Sequence, residues 1–392
     1  MMQDRRRFIA LGAAAGLSAC AAPARLPAVP DLAASRATIA GIPGARFYSD
    51  EEDPELMRWL DQQERRALAL RASGRREPPA DVLVISGGGE DGAFGAGLLT
   101  EWSKLGTRPE FRVVTGVSTG ALTAPFAFLG PSRDAELREV YTNTDIRRVL
   151  AWRPWSAMLL DDALGDSAPL AALIARFVDA EMLQEIAAAH DSGRALLIGT
   201  TDLDARRGVV WNIGAIARSG SPDAVEIVRR VLLASASIPG VFPPVMFDVE
   251  IDGRKYQEMH VDGGAVAQLF LFPERVATAQ RVRRSATSQT RVWLIRNGRL
   301  KAQREMTERR AISILSATVS TMTRSSGEFD VVRTWLRTQR HGIGFSLAFV
   351  GQDFEIPYKT MFDPAYMRAL FDYGRERMRS GTAWISAPPG EV

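Results

Sequence analysis

The sequence predicts an α/β fold with a mostly parallel central sheet covered by helices. Two observations carry this. From residue 81 onward, short β-branched runs alternate with helical stretches, and such alternation feeds crossover connections between parallel strands. Two of the strand-to-helix junctions are glycine turns, Ser86-Gly87-Gly88-Gly89 and Thr115-Gly116-Val117-Ser118. The 392 residues, 46% hydrophobic and 24% charged, supply enough apolar material for a large core.

Before the fold comes a leader. Asp4-Arg5-Arg6-Arg7 precedes a short apolar run, Phe8 to Leu17, which has the form of a secretory signal over residues 1–19. The run is too short to span a bilayer comfortably. Leu17-Ser18-Ala19-Cys20 resembles the bacterial lipobox, in which the cysteine is lipidated and becomes the new N-terminus. Cys20 is the sole cysteine, so no intramolecular disulfide can form. The arginines also resemble a twin-arginine signal. The expected location is the bacterial cell envelope, anchored by lipid and facing the periplasm. Net charge is +3, and +2 of it belongs to residues 1–19. The near-neutral remainder mixes acids and bases, which gives no electrostatic footprint for nucleic acid.

The elements follow in order. Residues 20–45, rich in Ala and Pro, read as a flexible tether. Residues 46–79 form an N-terminal helical segment, with an amphipathic helix over Asp53–Ser73 that ends at Gly74. The core spans 80–276. Its strands are expected at 81–86, 111–115, 195–200, 208–211, 245–248 and 255–261. Its helices are expected at 93–105, 119–129, 135–141, 169–189 and 222–234. Residues 277–392 pack on the same domain, with strands at 291–296 and 344–350 and a helix at 364–379. Arg283–Gln289 reads as a loop, and Gly298–Glu328 as partly helical. Trp152, Trp155, Met158, Leu159 and Leu160 read as buried core, with an acyl lid as the functional alternative.

Chemistry concentrates in three places. Gly116-Val117-Ser118-Thr119-Gly120 follows a strand and opens a helix, the setting of a G-x-S-x-G nucleophile elbow. A tight turn projects the Ser118 hydroxyl, and a Cβ at Gly116 or Gly120 would clash with neighbouring elements. The loop Gly87-Gly88-Gly89-Glu90-Asp91-Gly92 turns backbone N–H groups inward to bind an anion. It also matches G-x-G-x-x-G. The next strand, however, ends in the serine elbow where a dinucleotide site wants a ribose-binding acid, so the loop reads as an oxyanion hole. Third, His260-Val261-Asp262-Gly263-Gly264 leaves a strand into a glycine turn and presents a carboxylate at the sheet edge.

The base for Ser118 has several candidates. A Ser-His-Asp arrangement needs one of three histidines. His190 closes a helix and looks like a surface residue. His341 lies in a loop, in formal triad order after Ser118 and Asp262. His260 shares a strand face with Asp262. A Ser-Asp dyad needs none of them: a carboxylate in a partly dry pocket takes the proton itself.

Taken together, the glycine loop 87–92, the elbow 116–120 and the Asp262-Gly263-Gly264 turn resemble the patatin-like phospholipase family, roughly over Asp81 to Val276. Ala234–Pro244 is similar to the family's segment between serine and aspartate. Phe362–Arg368 looks like bacterial members. The resemblance implies a three-layer α/β/α sandwich, lipid acyl hydrolysis by a Ser118–Asp262 dyad, and no metal or cofactor. One departure stands out. The family usually carries Lys or Arg where this chain has Asp91, beside Glu90. Two carboxylates pointing into an oxyanion hole would oppose a negative transition state. At a helix N-terminus, facing away, they complement the dipole instead. The expected function is hydrolysis of lipid esters. The alternative is a non-catalytic envelope lipoprotein that binds acyl chains or a protein partner.

Overall fold

A computed structural model describes residues 25–52, 54–73, 80–153, 162–271, 290–301, 306–357 and 359–390. The signal, Cys20, the loop 283–289 and the segment with Trp155, Met158, Leu159 and Leu160 lie outside them. The strands are β1 (Arg46–Tyr48), β2 (Asp81–Ile85), β3 (Val113–Val117), β4 (Ala151–Trp152), β5 (Gly165–Asp166), β6 (Ala195–Asp202), β7 (Arg207–Asn212), β8 (Val245–Ile251), β9 (Arg254–Asp262), β10 (Arg291–Arg296) and β11 (Gly344–Phe349). The helices are α1 (Pro54–Ala72), α2 (Gly92–Lys104), α3 (Thr119–Leu129), α4 (Asp134–Thr142), α5 (Ala168–Phe177), α6 (Ala180–Asp191), α7 (Ile213–Arg218), α8 (Ala224–Ser235), α9 (Ala311–His341) and α10 (Pro364–Arg379).

The main sheet runs β1-β7-β6-β3-β2-β10-β11. β6, β3, β2, β10 and β11 run parallel to one another, and β7, β1, β9 and β8 add antiparallel pairs at one side. β2 shows how the sequence sets the layers. Leu83 and Ile85 point into one apolar cluster with Phe94, Leu98 and Leu99 of α2, while Val82 and Val84 point into a second with Leu56 of α1 and Val331 of α9. The result is the three-layer α/β/α sandwich. No helix among the described residues is long and apolar enough to cross a membrane.

Several expectations change. The helix expected over 169–189 is two, α5 and α6, divided at Val178 and restarted by Asp179, whose carboxylate accepts the Met182 N–H. The described part of the tether is packed on the body: Ala34, Ile39, Ile42 and Ala45 are buried, and Thr38 bridges to Glu250. The partly helical stretch 298–328 holds the start of a 31-residue helix, α9, which runs on to His341. His341 is therefore the last residue of a helix, stopped by left-handed Gly342, and not part of a loop. Trp152, expected in the core, is 62% exposed on the short hairpin β4–β5.

Candidate active site

Strand register brings serine and aspartate together. β3 pairs with β6 as far as Val117 opposite Gly199, and one residue further along β6, Thr200 pairs with Asp262 of antiparallel β9. β9 thus continues the edge where β3 stops. Ser118, the residue after Val117, meets Asp262 at that junction. The Ser118 side chain lies near enough to the Asp262 carboxylate to favour its ionised form. Ser118 is also the N-cap of α3, yet its side chain makes no capping bond, so the helix does not engage the hydroxyl.

The elbow is strained. Ser118 has φ 56° and ψ −127°, a conformation that costs a non-glycine residue roughly 1–3 kcal/mol. Both flanking glycines are required by space. A Cβ on Gly116 would sit 2.4 Å from the Gly120 carbonyl oxygen, and one on Gly120 2.4 Å from that of Ile85. Ser235 holds the turn in place: its hydroxyl accepts the Ser118 N–H (3.0 Å) and donates to the Gly199 carbonyl (2.7 Å). The Ser237 carbonyl accepts the Asp262 N–H (2.9 Å). The segment beginning at Ala234, marked in the sequence only by its resemblance, therefore fastens both partners.

Asp262 is 6% exposed. Burial pushes its carboxyl up to about 6, against the Ser118 hydroxyl and the Gly264 N–H, which favour the ionised form. The Gly264 N–H bond measures 2.7 Å. Gly263 has no room for a side chain, since its Cβ would meet the Gly199 carbonyl at 2.5 Å.

The glycine loop lies against the serine, and a Cβ on Gly87 would come within 3.1 Å of the Ser118 Cβ. The four loop glycines do different work. The Gly87 N–H donates to the Gln268 carbonyl (3.0 Å), and the Gly92 N–H donates to the carbonyls of Gly89 and Glu90. These two amides are engaged within the protein. Gly92 is instead a packing position, because a Cβ there would strike Thr119 and Tyr141. Gly88 (φ 156°) and Gly89 (φ 57°) take conformations suited to glycine, and Gly88 also lies too close to the Asn297 carbonyl for any side chain. Their amides are the ones left for an oxyanion.

Arg296, at the end of β10, is a residue that sequence reading missed. Its guanidinium is buried behind the loop and donates to the Gly87 carbonyl (2.9 Å) and the Ser86 hydroxyl (3.1 Å). Gly327 of α9 leaves space for it. Asn297 adds a bond from its side-chain amide to the Ser86 carbonyl (3.0 Å). Gln268 ties the loop to the aspartate turn, with its side chain donating to the Gly264 carbonyl (2.9 Å). Asp330 of α9 accepts the Gln268 N–H (2.8 Å). No motif marks these residues, because they come from distant segments.

Asp91 accepts a hydrogen bond from the Tyr366 hydroxyl of α10 (2.8 Å). Burial raises its carboxyl to about 6. The Tyr366 bond opposes the rise, Glu90 adds to it, and Arg296 and Arg299 oppose it. Asp91 occupies the N-cap position of α2 without capping it, so its partner is tertiary rather than the helix dipole. Neither Asp91 nor Glu90 figures among the groups that shift Asp262.

The histidines are engaged elsewhere. His260 bonds Thr200 (2.9 Å) and Glu258 (3.2 Å) through its two ring nitrogens. His190 is half-buried against Gly214, not a surface residue. Asp202, Glu258 and His260 form a buried group with metal-ligand chemistry. There Arg46 lies 2.6 Å from Glu258 and the Tyr48 hydroxyl donates to Asp202, so a guanidinium already supplies the positive charge. A cleft of about 430 Å³ between α4 and α10 is lined by Arg138, Glu139, Arg368 and Asp372 among others, and by none of the residues around Ser118.

The family described as "Patatin: Patatin-like phospholipase" matches residues 83–274. Among curated proteins, none matches the sequence significantly. Among solved structures, the chain is similar to VipD from Legionella pneumophila, with a TM-score of 0.38 and 10% identity over 78% of this chain and 67% of that one. A likeness that loose carries no functional argument. The span from β2 through the Asp262 turn, which holds the serine elbow and the glycine loop, is thus the part of the chain that is similar to patatin-like phospholipases, over residues 83–274.

Proposed function

We propose that the protein hydrolyses carboxylic esters of lipids, with Ser118 as nucleophile and Asp262 as its base. The observation that carries this reading is the strand register that sets Ser118 beside a buried aspartate raised to about 6. A carboxylate so placed is ionised at neutral pH yet basic enough to take the proton.

Ser118 Oγ attacks the acyl carbonyl as its proton passes to Asp262. The carbonyl electrons move onto oxygen, which the Gly88 and Gly89 amides hold. Collapse expels the alcohol, which leaves with the proton from Asp262, and the acyl group stays on Ser118. Water then attacks this ester, again giving its proton to Asp262, and the fatty acid leaves as Ser118 is reprotonated. No histidine enters, in line with the engagement of His260 by Thr200 and Glu258. The same reading places the protein in the bacterial envelope on a lipid attached to Cys20.

The test is a panel of phospholipids, acylglycerols and short aryl esters, with a fluorophosphonate probe for the serine. Wild type should turn over at least one ester class and label at Ser118, while Ser118→Ala and Asp262→Asn lose both turnover and labelling. Full activity in either variant ends the dyad reading. For the anchor, mass spectrometry of the mature N-terminus should find diacylated Cys20, and an unmodified cysteine overturns it.

A further inference from the structure

α9 has an outer face of the wrong polarity for water. Its inner face is ordinary: Gly327, Asp330, Val331, Thr334 and Thr338 are buried against the sheet. On the opposite side, Met322, Phe329 and Leu336 are 67%, 73% and 54% exposed. They recur every seven residues, so at about 100° per residue they fall within about 40° of one another, in a stripe about 21 Å long. Ile314, also exposed, extends it toward the N-terminus of the helix. Single exposed apolar residues are common, but a stripe along one helix marks an interaction surface.

We infer that this face of α9 is a docking surface for an anionic lipid bilayer. Three observations select that occupant. At about 100° per residue, Arg333 and Arg340 fall within about 40° of Phe329 beside the stripe, while Asp330 is turned inward, and over residues 306–341 six arginines stand against three acids. Apolar side chains rimmed by arginine are the composition of a helix lying in the plane of a charged membrane surface. A second copy would bring the same arginines against each other. A stripe one helix wide is also narrow beside the roughly 800 Å² that a stable protein interface takes from each partner.

The position of the helix gives the contact a purpose. Its inner face is joined to the candidate active site, through Asp330 to Gln268 and through Gly327 to the buried Arg296. A bilayer seated on α9 is therefore held next to the element that backs the glycine loop. The inference rests on the lipid-ester reading for that purpose but not for its test.

The test uses the full chain carrying Ser118→Ala and Cys20→Ser, so that neither turnover nor an attached lipid contributes. An environment-sensitive fluorophore is placed through Phe329→Cys, with a control label through Arg254→Cys in the β8–β9 hairpin. Vesicles of phosphatidylglycerol with brominated acyl chains should quench the label at 329 and leave the one at 254 unaffected. Brominated phosphatidylcholine should quench the first label far less. Met322→Ser and Leu336→Ser should each weaken vesicle partition about tenfold, with unchanged melting and unchanged hydrolysis of a soluble ester in the Ser118 background. Absent quenching, equal quenching at both positions, or an emission change that follows protein concentration without lipid overturns the docking. In the last case the occupant is a second copy. Quenching at 329 in a protein whose wild type hydrolyses no ester would refute the proposed function and leave the docking standing.

Discussion

Replacing Asp262 by Asn is expected to abolish ester hydrolysis and to stabilise the protein at pH 8. Both effects have one source. Burial raises the Asp262 carboxyl from 3.8 to about 6, which corresponds to about 3 kcal/mol. Between about pH 4 and 6 the folded chain keeps a proton that the unfolded chain has lost. Wild-type stability therefore falls as pH rises through that window and stays low above it. Asparagine never ionises and still offers an oxygen to the Gly264 N–H. Its advantage should be near zero at pH 4, grow to pH 6 and then level off. Asp91 titrates in the same window and with the same sign, but it is present in both proteins and cancels in the difference. The rearranged contact with Ser118 reduces the gain to roughly 1–3 kcal/mol, a few degrees in melting temperature. The assay is thermal unfolding of both proteins from pH 4 to 8, alongside hydrolysis of an aryl ester, where the loss should reach at least about a hundredfold. A stability difference that does not change with pH, or a variant less stable at pH 8, refutes the buried carboxylate. Undiminished turnover refutes its role as base.

Three further outcomes follow from the same geometry. The acid limb of kcat/KM for ester hydrolysis should have its midpoint near 6, because only ionised Asp262 accepts the proton; a midpoint near 4, or a flat profile from pH 5 to 8, contradicts this. Ser235→Ala strands the Ser118 N–H and the Gly199 carbonyl, so it should cost about 1–3 kcal/mol of stability and lower kcat more than it raises KM; a variant equal to wild type in both shows that the turn holds itself. Arg296→Met removes two donors from the glycine loop and should cost roughly 2–4 kcal/mol, with Arg296→Lys recovering part of the stability; unfolding curves of the two variants decide it.

The elements that were legible share a cause. Ser118 and its glycines could be read because a strand–turn–helix junction writes its steric demands into consecutive residues, and the contacts at Gly116 and Gly120 are those demands. The strand and helix ends of the parallel core were legible for a similar reason, since apolar periodicity is local. What escaped is non-local. The division of α5 from α6 depends on one cap at Asp179. Residues 25–45 looked like a tether because Ala and Pro show no periodicity, yet Ala34, Ile39 and Ile42 fit against the body. α9 hid its length because its outer face is apolar where a surface helix is normally polar, which blurs the pattern that would reveal it. Ser235, Gln268 and Arg296 reach the site through tertiary folding alone.

Charge around the glycine loop is the clearest instance. Read along the chain, Glu90 and Asp91 surround the oxyanion site with negative charge and argue against strong acyl transfer. Read in space, Asp91 is tied to Tyr366, its carboxyl is raised to about 6, and Arg296 and Arg299 face it. The cation that the loop lacks in sequence is supplied from β10, where Arg296 grips the Gly87 carbonyl from behind. A guanidinium on that carbonyl polarises the Gly87–Gly88 peptide, whose N–H belongs to Gly88, one of the two amides left for the oxyanion. The acid that seemed to disable the site is therefore held by Tyr366, within the field of the arginine that equips the loop. On this account Tyr366→Phe, which frees Asp91 to shift, should weaken turnover without touching the dyad, whereas Asp91→Asn should leave the loop geometry intact.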